Sequence, residues 1–238
     1  MVKTAQLSET IDPVDGRQTR RAAMIDVARE FFFEHGYGST TMSAIAAKIG
    51  GSKTTLWTYF PSKQVLFEAV VDDLSRQYGS LIDDVRLPSG DLERTLTRFG
   101  QAVVETMLSP PVLQIFRMIV GEAGRFPELG RVFHDKGSGI SEGRLTEFLR
   151  VEMAEGRLRP AEPEIAARNF LQLCQSNHFQ KALLCLSPQV SKTQIRQDVE
   201  SAVGAFLQIY APKPTENTNV VVIDNVIAKR TRDEASRA

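Results

Sequence analysis

Residues 50–63 read GGSKTTLWTYFPSK and include Trp57, which is the only tryptophan of the chain. The two glycines allow a sharp change of direction, and Ser52 is a suitable N-cap for a helix that starts after them. Pro61 ends this helix, because the residue before a proline is pushed away from helical backbone angles. The stretch therefore predicts a helix of about two turns over residues 53–60.

The two faces of this short helix differ in chemistry. Leu56 and Phe60 are four residues apart and share one side, where they can pack on neighbouring helices. Lysine neutralises phosphates, while threonine and aromatic groups can contact sugars or thymine methyl groups. The alternative interpretation is that the tryptophan is half-buried against the next helix and the threonines are an ordinary solvated face. Both interpretations concern the side of the helix opposite Leu56 and Phe60. That side carries Lys53, Thr54, Trp57 and Thr58.

Helices on either side complete a three-helix unit over residues 17–62. Apolar residues recur with helical spacing from Arg17 to Gly36, which we expect to end the first helix. Either Thr40 or Thr41 can cap the second helix, which ends at the glycine pair. Two helices joined by a short glycine-bearing turn are typical of the helix-turn-helix, whose second member enters the major groove of DNA.

Charge is distributed unevenly along the chain. The 238 residues contain 29 Lys and Arg against 29 Asp and Glu, so net charge favours neither a nucleic-acid nor an acidic partner. Between residues 17 and 63, however, seven basic residues stand against three acidic ones. A local basic excess favours a segment that meets phosphates, although short basic runs also occur on plain solvated surfaces.

Several classes of protein are disfavoured. Cys174 and Cys185 are too few for a disulfide framework, and we expect both thiols to be buried and reduced, as suits a cytoplasmic protein. The N-terminus has no apolar segment of the kind that directs secretion, and no apolar run is long enough to span a membrane, so no membrane partner is expected. His35, His134 and His178 are scattered, and we expect no metal and no cofactor.

The remaining sequence is also helical in pattern, so the predicted fold class is all-α. Ser62 can cap a fourth helix that runs towards Val85, and no alternation of strands and helices follows. Further helices are predicted near residues 91–108, 112–123, 127–135, 139–156, 163–186 and 190–210, with a break at the Lys-Gly-Ser-Gly of residues 136–139.

This pattern divides the chain into four parts. A flexible arm over residues 1–16 precedes the helix-turn-helix domain over 17–62. A larger helical domain for effector binding and dimerisation follows over 63–210. The tail over 211–238 is rich in Pro, Asn and Thr, and we expect it to be disordered, although its apolar patch could dock on the body.

The N-terminal residues resemble a known family. RRAAMIDVAREFFFEHGYGST (20–40), followed by TTMSAIAAKIGGSKTTLWTYFPSKQVLF (40–67), is similar to the DNA-binding domain of the TetR family of transcriptional regulators. The resemblance implies a homodimer formed through the last two helices of the regulatory domain. It also implies a set of residues at or near DNA, with the first and last of them on phosphates: Thr41, Ser52, Lys53, Thr54, Thr55, Trp57, Thr58, Tyr59 and Lys63.

Gly51, Thr54 and Trp57 depart from the common pattern of that family, in which an apolar residue, a glycine and a tyrosine are frequent. The glycine can loosen the turn, and the other two changes bear on which bases are read. The operator sequence therefore does not follow from the resemblance.

The regulatory half resembles the effector domain of the AefR-like subgroup through SPPVLQIFRMIVGEAGRFPELGRVFHDKG (109–137). Aromatic and methionine side chains make adaptable apolar walls, so we expect a cavity for a small effector among these helices. The alternative is that most of these residues are simply filled core. The expected lining is Met107, Phe116, Ile119, Phe126, Phe133, Phe148, Leu149, Met153, Leu171 and Cys174.

The last two predicted helices provide the expected subunit contacts. Gln175 and His178 are polar residues on an apolar stretch, and they can either mark the cavity or satisfy one another across the dimer. Gly204 and Ala205 would allow two helices to approach closely. The expected interface residues are His178, Ile195, Val199, Val203, Phe206 and Leu207.

Together these patterns predict a homodimeric repressor that binds a pseudo-palindromic double-stranded DNA operator and is released by a small apolar effector. An activator without a ligand is the main alternative. An all-helical enzyme is disfavoured, because no nucleophile, base and acid can be assembled from the sequence.

Overall fold

The structure of the protein is a computed structural model, which describes residues 13–50, 53–83, 85, 91–186 and 189–212. Within these ranges the chain forms eleven α-helices and no strand. The fold is therefore all-α, as predicted. Residues 1–12 of the expected arm and 213–238 of the expected tail lie outside the described residues.

The helices follow the predicted order closely. A short π-helical segment, His134–Ser138, joins the seventh helix to the eighth. The bounds are α1 (Pro13–Ser39), α2 (Met42–Ile49), α3 (Lys53–Tyr59), α4 (Lys63–Asp83), α5 (Leu92–Leu108), α6 (Pro110–Glu122), α7 (Pro127–Phe133), α8 (Gly139–Ala154), α9 (Pro163–Cys174), α10 (His178–Leu183) and α11 (Lys192–Tyr210).

The end of α1 and the N-caps of α2 and α4 agree with the local sequence signals, whereas Ser52, the expected cap of α3, lies outside the described residues. Gly36 has φ 77° and breaks the helical geometry near the end of α1. Thr41 caps α2, since its Oγ accepts from the Ala44 amide at 3.2 Å. Ser62 caps α4 in the same way. The expected start of α1 at Arg17 is wrong by four residues, because α1 begins at Pro13, and proline suits the first turn of a helix.

The first core unites the helix-turn-helix with part of the regulatory half. Rings of Phe32, Tyr37 and Phe67 pack on one another with centroids 5.4–5.6 Å apart. Apolar residues of α6 and α7 enter the same core, so packing continues across the expected domain boundary after residue 62. The contributors from these two helices are Ile115, Ile119, Leu129 and Val132.

The second core lies between α5, α8, α9 and α11. Its packing is tight at Gly100, where an added Cβ would lie 2.8 Å from Val199 Cγ1 and 3.1 Å from the Cys174 sulfur. Glu152 is the charged group of this region, and the Arg157 guanidinium donates to both of its carboxylate oxygens at 2.5 and 2.8 Å. Pairing compensates the cost of burying that carboxylate.

Three predicted features of the second half are wrong. The single helix expected over 163–186 is divided between α9 and α10. At the start of α10, Asp198 of α11 accepts from the Asn177 side chain at 3.0 Å and from the His178 amide at 3.3 Å. The break expected over 136–139 is instead helical through the π-helical segment. Cys185 also differs from expectation, since it is exposed, whereas Cys174 is buried.

Polar contacts fix α4 to the regulatory half along its length. Near its middle, Asp72 accepts from the Lys136 ammonium with both oxygens, each at 3.0 Å. At its end, the Arg144 guanidinium donates to the Ile82 carbonyl at 2.7 Å and to the Val85 carbonyl at 3.0 Å. A cation at a helix C-terminus stabilises the unpaired carbonyls there.

Candidate nucleic-acid interface

Helix α3 presents Trp57 on its outer face because its inner face is anchored in the first core. Leu56 and Phe60 are each only 1% exposed, whereas Trp57 is 37% exposed. The tryptophan therefore lies outside the buried core and is only partly exposed. A large apolar side chain left partly exposed on a short helix is available to a partner.

The threonines around Trp57 are arranged for polar contacts. Thr54 and Thr58 are exposed, and the Thr58 hydroxyl donates to the Thr54 carbonyl at 2.9 Å. Thr55 is partly buried and takes part in an interaction of its own. Ser52 and the side chain of Lys53 lie outside the described residues.

Thr41 and Lys63, which were expected on phosphates, differ in availability. Thr41 uses an oxygen lone pair to cap α2, which leaves its hydroxyl proton free to be donated. Lys63 is half-buried instead, and its ammonium donates to the carbonyls of Tyr37 at 2.7 Å and Thr40 at 3.0 Å. Its burial lowers the pKa of Lys63, and the carboxylates of Glu122 and Glu128 oppose that change. In this structure Lys63 closes the C-terminal end of α1 and does not point outward.

Basic residues of α1 border the recognition helix. The sequence alone did not assign these basic residues to the site. The Arg17 guanidinium lies 5.8 Å from the ring centre of Tyr59, and that of Arg21 lies 5.2 Å from the ring centre of Phe60. Both arginines are exposed. The uneven charge of residues 17–63 signalled them, but only the structure shows that they lie over the rings of Tyr59 and Phe60 at the end of α3.

The ten residues expected to line a cavity do not form one group. Ile119 is in the first core and Phe126 packs against it. Six others belong to the second core or pack against it. These six are Met107, Phe148, Leu149, Met153, Leu171 and Cys174.

The remaining two, Phe116 and Phe133, meet at a junction of four helices. Their ring centres are 5.5 Å apart, and the ring of Phe179 lies 5.7 Å from that of Phe116. We call these three rings the aromatic cluster. Met107 packs beside it from α5. Phe116 and Phe133 are half-buried, so this cluster is less completely enclosed than the second core.

The six residues expected at a subunit interface lie mainly inside the protomer. Four of them are almost completely buried in the second core, and Leu207 packs against that core. His178 is also satisfied within the chain, since its Nδ1 lies 2.5 Å from Asp198 Oδ2. The four buried residues are Ile195, Val199, Val203 and Phe206. A subunit contact would therefore use the other face of α11.

Comparison with known proteins identifies the scaffold. Residues 24–70 match the family described as bacterial regulatory proteins, tetR family. Residues 94–212 match the C-terminal domain of AefR-like transcriptional repressors, which covers half of the chain. The chain belongs to the TetR family of transcriptional regulators. The matched N-terminal segment contains α2 and α3, so this TetR-family chain has the DNA-binding domain of its family.

Solved structures of TetR-family regulators are similar over most of this chain. The flavonoid-responsive regulator FrrA is 32% identical, with a TM-score of 0.71 over 83% of this chain and 100% of its own. A TetR-family regulator from Mesorhizobium loti is 25% identical, with a TM-score of 0.71 over 82% of this chain and 98% of its own. The helix-turn-helix regulator YhgD of Bacillus subtilis is 22% identical over 65% of this chain and 80% of its own.

The described residues of this TetR-family chain contain neither a cluster of metal ligands nor a single helix that could span a membrane. Among the described residues, no three His, Cys, Asp or Glu side chains are grouped as metal ligands would be. No single described helix is long and apolar enough to cross a membrane. Helices α5 and α6 pass that test only as a pair, and they are bent by 70° where they meet.

Proposed function

We propose that the protein is a repressor that binds a pseudo-palindromic DNA operator as a homodimer and is released by a small aromatic effector. The observation that carries the DNA-binding part is the outer face of α3, where exposed Trp57 lies between exposed threonines above two buried anchors. Exposed Arg17 and Arg21, which lie near the rings of Tyr59 and Phe60, support the proposal because they add positive charge next to α3.

Fluorescence of the tryptophan tests this proposal directly, because Trp57 is the only one in the chain. Duplexes selected from random sequence, and then the protein's own upstream region, are titrated into the protein at two salt concentrations. We expect a spectral change together with tight binding that weakens steeply as salt rises. Weak binding that is alike for every duplex, with no spectral change, would refute the proposed role of α3.

Substitution separates base contacts from general attraction. Trp57→Ala is expected to weaken operator binding by about 10-fold or more, because a contact that reads a base contributes about 1–3 kcal/mol. Ile140→Ala is the matched control, since Ile140 is a 54% exposed apolar residue on α8, away from this face. Both variants should have the oligomeric state of the parent. Equal effects of the two substitutions would contradict the assignment.

The homodimer part of the proposal uses the exposed side of α11. Ser201, Gly204 and Gln208 are exposed and fall on one stripe of that helix, and an added Cβ at Gly204 would meet no described atom within 4 Å. A glycine on an exposed helix face allows close approach of a second helix. The exposed Ile165 of α9 supplies apolar surface from the neighbouring helix.

Gly204→Glu tests this face by placing a charge in the proposed contact. Gly143→Glu is the control, because Gly143 is also an exposed glycine within a helix and has equally open space around it. We expect Gly204→Glu to be monomeric by sedimentation and Gly143→Glu to remain dimeric. A dimeric Gly204→Glu variant would place the interface elsewhere.

The effector part of the proposal places the ligand at the aromatic cluster. Phe116 and Phe133 are half-buried, and flat rings at this spacing can stack on a planar aromatic molecule. The similarity to a regulator named as flavonoid-responsive supports this ligand class. The tight contacts at Gly100 argue against the second core as the site, because they leave little room there.

Two ring-removing substitutions distinguish the aromatic cluster from the second core. Phe116→Leu and Phe148→Leu each keep an apolar side chain, and both positions were expected to line the cavity. A flavone and a fatty acid of similar size are tested by thermal stabilisation of the protein and by release of operator DNA. We expect the flavone to act on the parent and on Phe148→Leu but not on Phe116→Leu. The opposite pattern would move the site to the second core.

A further inference from the structure

The end of α6 reaches across to the corner between α1 and α2. Glu122 is the last residue of α6, and its Oε1 accepts from the Tyr37 amide at 2.6 Å, while its Oε2 accepts from the Gly38 amide at 2.6 Å. Both carboxylate oxygens are therefore used by neighbouring backbone groups of the DNA-binding unit. We call this arrangement the Glu122 contact. Short bonds to an ionised acceptor are stronger than neutral ones.

Two glycines make room for the carboxylate. At Gly36, with φ 77°, an added Cβ would lie 2.5 Å from Glu122 Oε1. At Gly38 an added Cβ would lie 2.9 Å from Glu122 Oε2 and 3.1 Å from Phe126 Cε2. The Gly-Tyr-Gly sequence is thus fitted closely around this side chain, which an incidental surface contact would not require.

The surroundings hold the corner in place from both sides. The Tyr37 ring lies 5.6 Å from that of Phe32 in α1 and 5.1 Å from that of Phe126 before α7. The Lys63 ammonium lies 4.3 Å from the centre of the same ring while it donates to the Tyr37 carbonyl. The corner is therefore attached to α4 through a lysine and to α6 through a carboxylate.

The same helix contacts the proposed effector site five residues earlier. The Arg117 guanidinium donates to the carbonyl of Leu183 at 3.0 Å and also to that of Ala182, at the end of α10. Phe116 stands beside it in the aromatic cluster. Phe116 and Glu122 are six residues apart on this helix, which is about 9 Å, so a shift of α6 at Phe116 reaches Glu122 through a rigid element.

We propose that Glu122 is the positioning residue through which α6 sets the orientation of the helix-turn-helix unit. This inference rests on the proposed function, since it describes how an effector at the aromatic cluster changes DNA binding. A ligand that displaces α6 withdraws the carboxylate from the amides of Tyr37 and Gly38. The DNA-binding unit then loses the orientation that two recognition helices need to meet successive turns of one operator.

The first test is Glu122→Gln, with Glu147→Gln as the matched control. A glutamine keeps the size of the side chain but offers only one oxygen to two amides, whereas Glu147 is 72% exposed on α8. We expect operator affinity of Glu122→Gln to fall by about 10-fold, and the effector to change it no further, while the dimer remains intact. An unchanged affinity and an unchanged effector response would overturn the proposal.

A distance measurement keeps the test independent of DNA. Exposed Ala23 of α1 is replaced by cysteine and spin-labelled together with the native exposed Cys185, in protein diluted with an excess of unlabelled chains. We expect the distance distribution between the two labels to broaden in Glu122→Gln and to stay narrow in Glu147→Gln. A lower melting temperature with an unchanged distribution would mean that Glu122 has only a structural role.

A second variant perturbs the same contact from the other side. Gly38→Ala should broaden the distribution in the parent, because its Cβ meets the carboxylate and the Phe126 ring, but should add less in a Glu122→Ala background, where only the contact with Phe126 remains. Additive effects would overturn the proposal. If the parent binds no DNA, the proposed function fails, whereas the distance distributions still decide whether Glu122 orients the unit.

Discussion

Asp198 provides a direct test of why α9 and α10 are separate helices. Its carboxylate faces three donors, namely the Asn177 side chain, the His178 amide and the His178 ring. The side chains of Asp198 and His178 are only 12% and 16% exposed, so water screens these bonds weakly. An asparagine at this position has one acceptor oxygen and places an NH2 group against the remaining donors.

The expected cost of Asp198→Asn follows from this count. A hydrogen bond to a charged group contributes about 1.5–3 kcal/mol, and part of the bonding survives in the variant. We therefore expect the free energy of unfolding to fall by about 2–3 kcal/mol, with an unchanged denaturant slope. Urea unfolding followed by circular dichroism at one fixed protein concentration measures this difference, since association also affects apparent stability.

The matched control is Glu200→Gln on the same helix. Glu200 is 57% exposed and lies 3.6 Å from Arg196, a surface pair whose loss should cost less than about 0.5 kcal/mol. If Asp198→Asn cost no more than this control, the carboxylate would not be what separates the two helices. The division of the predicted helix would then need another cause.

Acid should remove the difference between the parent and Asp198→Asn. Burial opposes ionisation of Asp198, but hydrogen bonds from Asn177 and His178 outweigh it and lower the pKa of the carboxyl. A carboxyl with a lowered folded pKa contributes stability above its unfolded pKa of about 3.9, and that stability is lost as pH falls through the folded value. The difference should therefore be complete at neutral pH and shrink below about pH 4. A constant difference throughout this range would refute the role of the charge.

Three further predictions concern thiols, packing and charge. Cys185 should react with a thiol reagent in the folded protein, while Cys174 should react only after unfolding, because burial raises the pKa of Cys174 to about 12. Rapid reaction of both thiols in the folded protein would contradict this prediction. Gly100→Ala should lower stability by about 1–3 kcal/mol in thermal unfolding, since its Cβ would overlap Val199, and an unchanged transition would show that α5 and α11 separate readily. Arg21→Ala should weaken binding to all duplexes alike and reduce the slope of log binding constant against log salt concentration by about 1. Weaker binding to one sequence alone would indicate that Arg21 reads a base.

The sequence was most informative where local signals decide the structure. Gly36, Thr41 and Ser62 act as terminators or caps as expected, because each works through backbone groups only a few residues away. The inner and outer faces of α3 were also predictable, since helical geometry alone separates Leu56 from Trp57.

Features that depend on distant partners were not predictable. The break between α9 and α10 is bonded to Asp198, about twenty residues further on, and Ser176 and Asn177 are only a weak turn signal in the local sequence. Lys63 resembles a phosphate contact until the carbonyls of Tyr37 and Thr40 are seen beside it.

The expected interface and cavity residues show a more general limit. An apolar stripe on α11 predicts that one face is covered, but it does not say whether the chain itself or a second chain covers it. Val199 and Phe206 are covered by their own protomer. In the same way, periodicity placed Phe116 and Phe148 on apolar faces without showing that they belong to different clusters.

The Glu122 contact has a consequence for the construction of chimeric regulators. A designer who joins this DNA-binding domain to a foreign sensor would naturally cut after residue 62, yet Gly38 and its carboxylate partner are 84 residues apart and fall on opposite sides of that cut. A foreign sensor without an acid at the matching end of its sixth helix would leave two amide protons facing an empty space. A working hybrid should therefore carry over the end of α6 together with the N-terminal domain, so that the portable unit is discontinuous in sequence.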